Sequence, residues 1–317
     1  MEALTSANHM PPPVPLPRRS LFGLNAANFF QAEMVGVVLP VLSAFLHEAG
    51  WRYDSIGFAT AAAGVGALLF QTPAGVLTDR IAHRRLLFAA TSIVTGLCFA
   101  LIPAFVGSHL WTITLLTLSG IVQTFFGPIL GALGLALVGH SRLSLTMGSN
   151  QGWNHAGNIA SALMAMGLVS LFGKSSIFYA VAVSSLLAAA AVFLIRSSDL
   201  HEYAARGFTR PGQSSSHWKS FLSHRHVLPV VACIFLFHLA NAPILPLTAL
   251  YVKKLGGSDQ MMTATVLSAQ CVMVPTALLA GYFANRFGVG ESDGVAGAGK
   301  GVGHLAFAGR DEIDLLE

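Results

Sequence analysis

Long apolar stretches separated by short polar ones cover most of this chain. A helix needs about 20 apolar residues to cross the hydrocarbon core of a bilayer, and eight stretches have about that length. We predict membrane-spanning helices at about 21–46, 55–78, 86–106, 110–139, 150–172, 176–195, 227–252 and 262–285. The pattern therefore predicts an all-α integral membrane protein that crosses the bilayer several times.

One longer polar stretch, residues 196–226, interrupts this pattern and predicts a linker between two helical bundles. We divide the chain into a cytoplasmic tail at 1–20, a six-helix bundle at 21–195, the linker at 196–226, a partial second bundle of two helices at 227–288 and a glycine-rich polar tail at 289–317. We expect the last segment to be disordered or non-native.

The amino-acid composition indicates that lipid is the solvent. Hydrophobic residues make up 54% of the chain and charged residues 10%, whereas a soluble domain carries about 25% charged residues. Cys98, Cys233 and Cys271 are scattered through apolar stretches, which excludes a disulfide framework and a zinc site. No nucleophile–base pair, metal-ligand spacing or nucleotide motif stands in a suitable context. We therefore expect no enzyme activity, no cofactor and no metal.

Lysine and arginine residues indicate how the helices are oriented, because they accumulate in cytoplasmic loops. With the N-terminus inside, the inner segments hold Arg18, Arg19, Arg80, Arg84, Arg85, Arg142, Arg196, Arg206, Arg210, Lys219, Arg225 and Arg286, and the outer loops hold Arg52, Lys174, Lys253 and Lys254. This bias predicts a cytoplasmic N-terminus and linker in a plasma membrane, as in the bacterial inner membrane. The same dispersion excludes the basic face that a nucleic-acid partner requires.

A sequence repeat relates the two parts of the chain at an offset of 206 residues. The segment at 75–82 returns at 281–288, Leu39-Pro40 returns as Leu245-Pro246, and Gly50 returns as Gly256. Because each copy lies on or ends a long apolar helix, the repeat is parallel. A parallel repeat of apolar helices is typical of secondary transporters built from two similar bundles.

The loop between the second and third predicted helices carries a recognisable motif. The pattern Gly75-x-x-x-Asp79-Arg80-x-x-x-Arg84-Arg85 resembles the signature loop of the major facilitator superfamily. Ala82 replaces the usual glycine, His83 precedes the basic pair, and the second copy has Asn285 in place of the acid. The resemblance covers about residues 20–288.

The resemblance implies two six-helix bundles that expose a central site to each side of the membrane in turn, with this loop as a gate latch. The gating residues would be Gly75, Asp79, Arg80, Arg84, Arg85, Gly281 and Arg286. Gly75 would allow close approach of a neighbouring helix, and Asp79 would pair with Arg80, Arg84 or a helix N-terminus. The alternative, anchoring by positive charge alone, explains only the arginines.

Polar side chains within the apolar stretches indicate which helices line a cavity, because such groups are costly in lipid. The third and sixth stretches contain no Asn, Gln, His or Glu, and the resemblance likewise places these two helices outside. The cavity candidates are Asn25, Asn28, Gln31, Gln71, Gln123, Gln151, Asn154, His155, Asn158, His238, Asn241 and Gln270. The alternative for each is a hydrogen bond that joins neighbouring helices.

The fifth stretch has the densest polar pattern. Gln151, Asn154, His155 and Asn158 follow the i, i+3, i+4, i+7 spacing of one helical face. We predict that this stripe faces the solute.

Three further residues are candidates for mechanism. Glu33 is the one acid placed well inside the membrane, so it is a candidate for proton coupling; the alternative is a structural hydrogen bond to His155 or Asn241. Pro40 and Pro246 occupy matching places in the two copies and are predicted to bend helices one and seven.

These features predict a permease that moves a small solute by alternating access. The interior carries no Lys or Arg, which favours a neutral or cationic solute, with H⁺ as the candidate coupling ion and efflux as the direction. The partners are the lipid bilayer and the solute, and the sequence specifies no oligomeric state. The alternative function is a non-transporting remnant or regulatory membrane subunit.

The C-terminal segment departs from the repeat. A third helix of the second copy is expected from position 292, where the chain is instead rich in glycine and charge. We expect a product truncated or frame-shifted after the eighth of twelve helices. Translation of the downstream DNA in all frames tests this expectation, and it fails if no frame encodes four further apolar segments.

Overall fold

The computed structural model describes residues 17–36, 38–206, 227–241, 251, 255–256 and 259–286. These residues form helices and no strand. The α-helices are α1 (Arg18–Gly36), α2 (Val38–Glu48), α3 (Tyr53–Arg80), α4 (Arg84–Phe105), α5 (His109–Gln123), α6 (Phe126–Val138), α7 (Leu143–Phe172), α8 (Ser176–Val192), α9 (Glu202–Ala205), α10 (Val227–Asn241) and α11 (Asp259–Arg286), with a 3₁₀ helix at Ser197–Asp199.

Six helical segments of the described chain are long and apolar enough to cross a bilayer. They are Arg18–Glu48, Tyr53–Arg80, Arg84–Phe105, His109–Val138, Leu143–Phe172 and Leu267–Arg286. The sixth predicted span corresponds to the shorter apolar helix α8. Helix α10 covers the first part of the seventh, of which residues 242–250 and 252 are outside the described residues. The prediction of an all-α membrane fold is confirmed.

A proline stands four residues after the point where the fourth predicted span is divided into α5 and α6. A proline cannot donate a hydrogen bond to the carbonyl four residues earlier. For Pro128 that carbonyl belongs to Thr124, in the turn between α5 and α6. Pro40 lies within α2, and residue 37, between α1 and α2, is outside the described residues. Pro246 lies outside the described residues.

Two helices begin before the apolar stretches from which they were predicted. Helix α7 begins at Leu143 rather than near 150, and α11 begins at Asp259 rather than near 262. The prediction rested on apolar composition, but a helix continues beyond the hydrocarbon wherever its backbone hydrogen bonds can form. Polar residues such as Ser144 and Ser149 therefore belong to α7.

The packing of the first bundle places α1 at its centre. Helix α1 packs against α7 and α8, α4 packs against α8, and α3 packs against α5. Large side chains fill the space between these helices, and Phe88, Phe178, Leu24, Met34 and Ile129 are almost wholly buried. The predicted bundle thus has a continuous apolar core, in which α8 lies between α1 and α4.

The two copies of the repeat share backbone details at the same offset. Helices α3 and α11 both contain 28 residues, and their first and last residues are related by 206 positions. Gly50 and Gly256 both have positive φ, +91° and +79°, a conformation that favours glycine. Just before each glycine stands a backbone hydrogen bond of 3.1 Å at the same offset, donated by Ala49 N–H to Phe45 O and by Leu255 N–H to Tyr251 O.

Candidate functional site

The polar stripe of α7 meets α1 on one side. Asn154 donates from Nδ2 to Gln31 Oε1 at 3.1 Å, and Asn158 donates to Asn154 Oδ1 at 3.4 Å. These three side chains are partly buried. The structure therefore joins three predicted cavity residues from two helices into one hydrogen-bonded chain.

The same stripe meets α11 on its other side. His155 Nδ1 lies 2.8 Å from Gln270 Oε1, a contact that requires a proton on Nδ1 because the amide oxygen only accepts. Since α11 belongs to the second copy of the repeat, this bond connects the two bundles. We call the group formed by Gln31, Asn154, His155, Asn158 and Gln270 the amide network.

Glycines bring the helices close enough for these short side chains to meet. A Cβ on Gly157 would lie 2.2 Å from the carbonyl oxygen of Phe29, and a Cβ on Gly36 would lie 2.6 Å from Asn158 Oδ1. At Gly157 the obstacle is backbone, so this position has no room for a side chain, whereas a side chain at Gly36 would displace the Asn158 amide. The separation of α1 and α7 is therefore set by glycine, as is common between membrane helices.

Other polar and aromatic residues of α1 and α7 make local contacts. Asn25 accepts a hydrogen bond of 3.3 Å from Ser149 on α7. Asn28 is buried and donates to Leu24 O in its own helix at 2.9 Å, so its amide does not need a solute partner. Gln151 is exposed, and Trp153 packs edge-on against aromatic rings of α1.

Glu33 lies on a different side of α1 from the amide network. The hydroxyl of Ser184, which is buried on α8, lies beside the Glu33 carboxyl. Among the described residues His155, one of the two alternative partners expected from the sequence, bonds to Gln270 instead, and the side chain of Asn241, the other, is outside the described ones. The side chain is only partly buried.

Gln71 and Gln123 line one cleft in the first bundle. The cleft lies between α2, α3 and α5 and measures about 430 Å³. Gln71 is exposed and Gln123 is partly buried. Of the remaining candidates, His238 and Asn241 lie on α10, but their side chains are outside the described ones.

The predicted gating loop pairs with the segment that follows α8. Arg84, only 2% exposed, donates to Glu202 Oε2 on α9 at 2.8 Å and to the main-chain oxygen of Asp79 at 3.4 Å. Arg85 donates to Ile195 O at 2.6 Å and to the hydroxyl of Ser197. The start of the predicted linker is therefore ordered against the bundle.

Two more bonds hold this segment at the arginine-rich end of the helices. Ser20 on α1 donates to Asp199 Oδ2 at 2.6 Å, and the backbone N–H of His201 donates to Ala136 O on α6 at 3.1 Å. Residues 195–202 thus tie the ends of α1, α4 and α6 together. We call this segment the cytoplasmic-end clamp, after the orientation that the arginines predict.

The remaining gating residues are arranged unequally in the two copies. Asp79 and Arg80 are exposed, and within the described part of the chain the Asp79 carboxylate makes no ion pair. Among the described residues no atom lies within 4 Å of a Cβ built on Gly75, so the expected close approach has no partner there. Arg286 donates to the Tyr282 hydroxyl at 3.1 Å.

Gly281 makes the close contact that its counterpart lacks. A Cβ on Gly281 would lie 2.9 Å from Gly148 Cα, and a Cβ on Gly148 would lie 2.8 Å from both Gly281 Cα and Ala277 O. The backbones of α7 and α11 therefore touch about two helical turns from the amide network along α7 and about three along α11. This contact and the His155–Gln270 bond both join the first bundle to the second.

Sequence reasoning missed Ser149, Ser184 and Glu202. Serine gives no signal in an apolar stretch because its hydroxyl can bond to its own helix backbone, so only the larger amides and the histidines stand out there. Glu202 did carry a signal. It is an acid close after the sixth span, on the side where the arginines collect.

We predict that the Arg84–Glu202 pair stabilises the fold measurably. Arg84→Met should lower the free energy of unfolding by about 1–2 kcal/mol, which is less than the cost of breaking a wholly buried pair because Glu202 is half exposed. Thermal unfolding in lipid nanodiscs measures the change. Arg52→Met breaks the Arg52–Asp54 pair, whose side chains are 83% and 65% exposed, and should change little. Equal effects of the two variants would contradict the prediction.

Comparison with known proteins finds one family and close relatives within it. The family model described as Major Facilitator Superfamily matches residues 21–299, which includes the first part of the glycine-rich segment. Two curated relatives come from Mycobacterium tuberculosis, strains CDC 1551 / Oshkosh and ATCC 25618 / H37Rv, and both are described as uncharacterized MFS-type transporters. Each is 32% identical to this chain over 285 residues, which cover 87% of this chain and 67% of the relative.

Proposed function

Because this chain belongs to the major facilitator superfamily, a family of membrane transporters, we propose that it is a permease for a small neutral or cationic solute. The solute would reach a site near the middle of the membrane, open to each side in turn. The proposal includes no enzymatic step and no cofactor.

The amide network is the observation that carries this proposal. Polar side chains at membrane depth are costly unless they have partners, yet this network gathers amides and an imidazole from α1, α7 and α11. Each amide has two donors and an acceptor with two lone pairs, so the bonds within the network leave capacity for a solute. A surface with this capacity and with contacts to both bundles suits a site that rearranges as the bundles move.

The charges around the network support the choice of solute. Helix α7 contains no Asp, Glu, Lys or Arg. An anion would therefore meet no fixed positive charge on α7, and its desolvation would be uncompensated. A neutral solute needs only hydrogen bonds, and a small cation can use amide oxygens.

We place the N-terminus and the clamp in the cytoplasm and the protein in a plasma membrane of the bacterial inner-membrane type. The distribution of arginine and lysine supports this orientation. Outward transport is the direction that fits a partly apolar solute. Such a solute enters the cell through lipid unaided, so a carrier is needed only to remove it from the cell.

Substitution of Asn154 tests the network. Asn154→Ala should raise the solute concentration for half-maximal transport about three- to tenfold, because one to two hydrogen bonds of about 0.5–1.5 kcal/mol each are lost. Uptake of radiolabelled neutral and cationic solutes into proteoliposomes measures it. Ser170→Ala on the same helix is the matched control, since that hydroxyl is exposed and bonds to its own helix at Gly167.

The outcomes separate the alternatives. If Asn154→Ala raises the solute concentration for half-maximal transport and Ser170→Ala does not, the result supports the permease. If the intact chain binds solutes from the panel but never exchanges them across the bilayer, it acts as a non-transporting membrane subunit. An unchanged concentration dependence in Asn154→Ala contradicts the role given to the network.

We propose H⁺ as the coupling ion and Glu33 as the group that carries it. The group beside its carboxyl is a neutral hydroxyl, that of Ser184, and no described cation forms an ion pair that would hold the carboxylate ionised. Glu33→Gln should abolish accumulation driven by an imposed pH gradient while leaving downhill exchange of solute. Transport into everted and right-side-out vesicles, with and without the gradient, measures both coupling and direction. Gradient-driven accumulation that survives in Glu33→Gln contradicts the assignment.

A further inference from the structure

The cleft between α2, α3 and α5 has the size and lining of a ligand site. Its volume of about 430 Å³ lies within the range of about 300–1,000 Å³ that is usual for small-molecule pockets. Aliphatic side chains such as Val38, Leu42 and Leu116 form most of its wall. Gln71 and Gln123 contribute the amides, one from each of two helices.

The two amides supply the side-chain hydrogen-bond donors of this cleft that have no partner among the described residues. The hydroxyls of Thr60, Ser119 and Thr124 donate to carbonyls of their own helices. By contrast, neither Gln71 nor Gln123 makes a side-chain hydrogen bond to any described residue. Together they could hold one polar end group that both donates and accepts.

The cleft favours an uncharged ligand. None of the side chains that line it is ionisable, so neither a cation nor an anion would find a counter-charge. Placing an unpaired ion among aliphatic side chains costs several kcal/mol. A molecule with an apolar body and one uncharged hydrogen-bonding end meets the lining without this penalty.

The cleft adjoins the amide network along the first membrane span. Gln31, Val35, Val38 and Leu42 follow a 4, 3, 4 spacing, which places them along one helical face. Gln31 belongs to the network, and the other three line the cleft. A molecule in the cleft would therefore extend the surface on which the proposed solute binds.

We propose that this cleft binds the apolar body of an elongated, uncharged amphipathic solute, whose hydrogen-bonding end group is held by Gln71 and Gln123. The inference rests on the proposed function and narrows its solute from neutral or cationic to neutral. It also separates the site into a polar part at the network and an apolar part between α2, α3 and α5.

Photo-crosslinking of the intact chain in phosphatidylcholine nanodiscs tests the inference. The probe is a ten-carbon primary amide with a diazirine in its chain, compared with probes of the same chain that end in trimethylammonium or carboxylate. Peptide mass spectrometry locates the label. We expect the amide probe to label residues 60–71 and 116–124 saturably, with unlabelled decanamide as competitor, and the two charged probes to label them at least tenfold less.

Two variants test the two parts of the cleft. The double variant Gln71→Leu/Gln123→Leu should raise the amide-probe concentration for half-maximal labelling about tenfold, because two hydrogen bonds are lost. Gly64→Leu should block labelling by filling the cleft, and no described atom lies within 4 Å of its Cβ, so the fold should be retained. Thr114→Val, on an exposed face of α5, is the control and should bind as the unmodified chain does.

Each outcome decides between binding and transport. Equal labelling by the trimethylammonium probe overturns the inference, and so does labelling that is insensitive to Gly64→Leu. Saturation by a diazirine-bearing phosphatidylcholine chain, with no preference for the amide, identifies a lipid site and also overturns it. If the cleft binds the amide as expected but proteoliposomes transport no solute, the proposed permease fails and the binding site stands. If proteoliposomes transport solute but the cleft is not labelled, the proposed permease stands and the inferred binding site fails.

Discussion

Gly157→Ala is expected to lower the free energy of unfolding by about 2–3 kcal/mol, although alanine is the better helix former. The added Cβ would lie 2.2 Å from the Phe29 carbonyl oxygen and 3.1 Å from the Ala32 Cβ. A backbone oxygen inside α1 cannot move without breaking the helix, so α1 and α7 must separate. Overpacking of this kind costs about 1–3 kcal/mol, occasionally more, and the separation also stretches the Gln31–Asn154 bond.

A second glycine on the same helix is the matched control. No described atom lies within 4 Å of a Cβ on Gly167, so Gly167→Ala should stabilise α7 by up to about 1 kcal/mol through helix propensity alone. Thermal unfolding in nanodiscs compares the two variants, and the expected changes have opposite signs. If both variants are stabilised, α1 and α7 do not pack as closely as described.

Gly148→Leu is expected to reduce transport at least a hundredfold. The contact between Gly148 and Gly281 brings two backbones together with no side chain between them, and a leucine there prevents α7 and α11 from meeting. In alternating access, contacts between the bundles must form in one state and break in the other. A change that costs one state about 3 kcal/mol shifts its population by more than a hundredfold, so the cycle stalls.

Thiol labelling checks the conformational part of this prediction. A single-cysteine chain carrying Gln151→Cys places the thiol at an exposed position one turn from Gly148. With Gly148→Leu, an impermeant maleimide added on the cytoplasmic side should label this thiol faster than in the chain with Gly148 intact. Gly167→Leu on the same helix should change neither labelling nor transport. Normal transport in Gly148→Leu would show that this contact is not part of the cycle.

The repeat was predictable from sequence to the level of single residues. The offset of 206 relates Gly50 to Gly256, and both have positive φ. The same offset relates the bounds of α3 and α11. The two copies differ at Gly75 and Gly281. Among the described residues only Gly281 lies against another helix, at Gly148 of α7. Backbone conformation follows from local sequence, whereas a contact needs a second helix at the right place.

The candidate site was predictable as a set of residues and not as a set of contacts. The spacing on α7 placed Asn154, His155 and Asn158 on one face, and the structure joins them to α1 and α11. Glu33 shows the limit. Its position in the sequence marked it as unusual, but its partner on α8 depends on the rotation of α1. Serine partners carry no pattern that distinguishes them from the many serines bonded to their own helix.

By itself, the sequence determined that this chain is a bundle of membrane helices of the major facilitator superfamily, that the helices are duplicated, and which residues are unusual at membrane depth. These properties follow from local composition, because the transfer of an apolar segment into lipid depends on that segment alone. Only the tertiary structure decided that Arg84 binds the segment after α8, that Glu33 faces Ser184, and that two glutamines share a cleft. Those pairings depend on how far each helix is rotated and how closely its glycines let a neighbour approach, and in lipid no hydrophobic driving force fixes either one in advance.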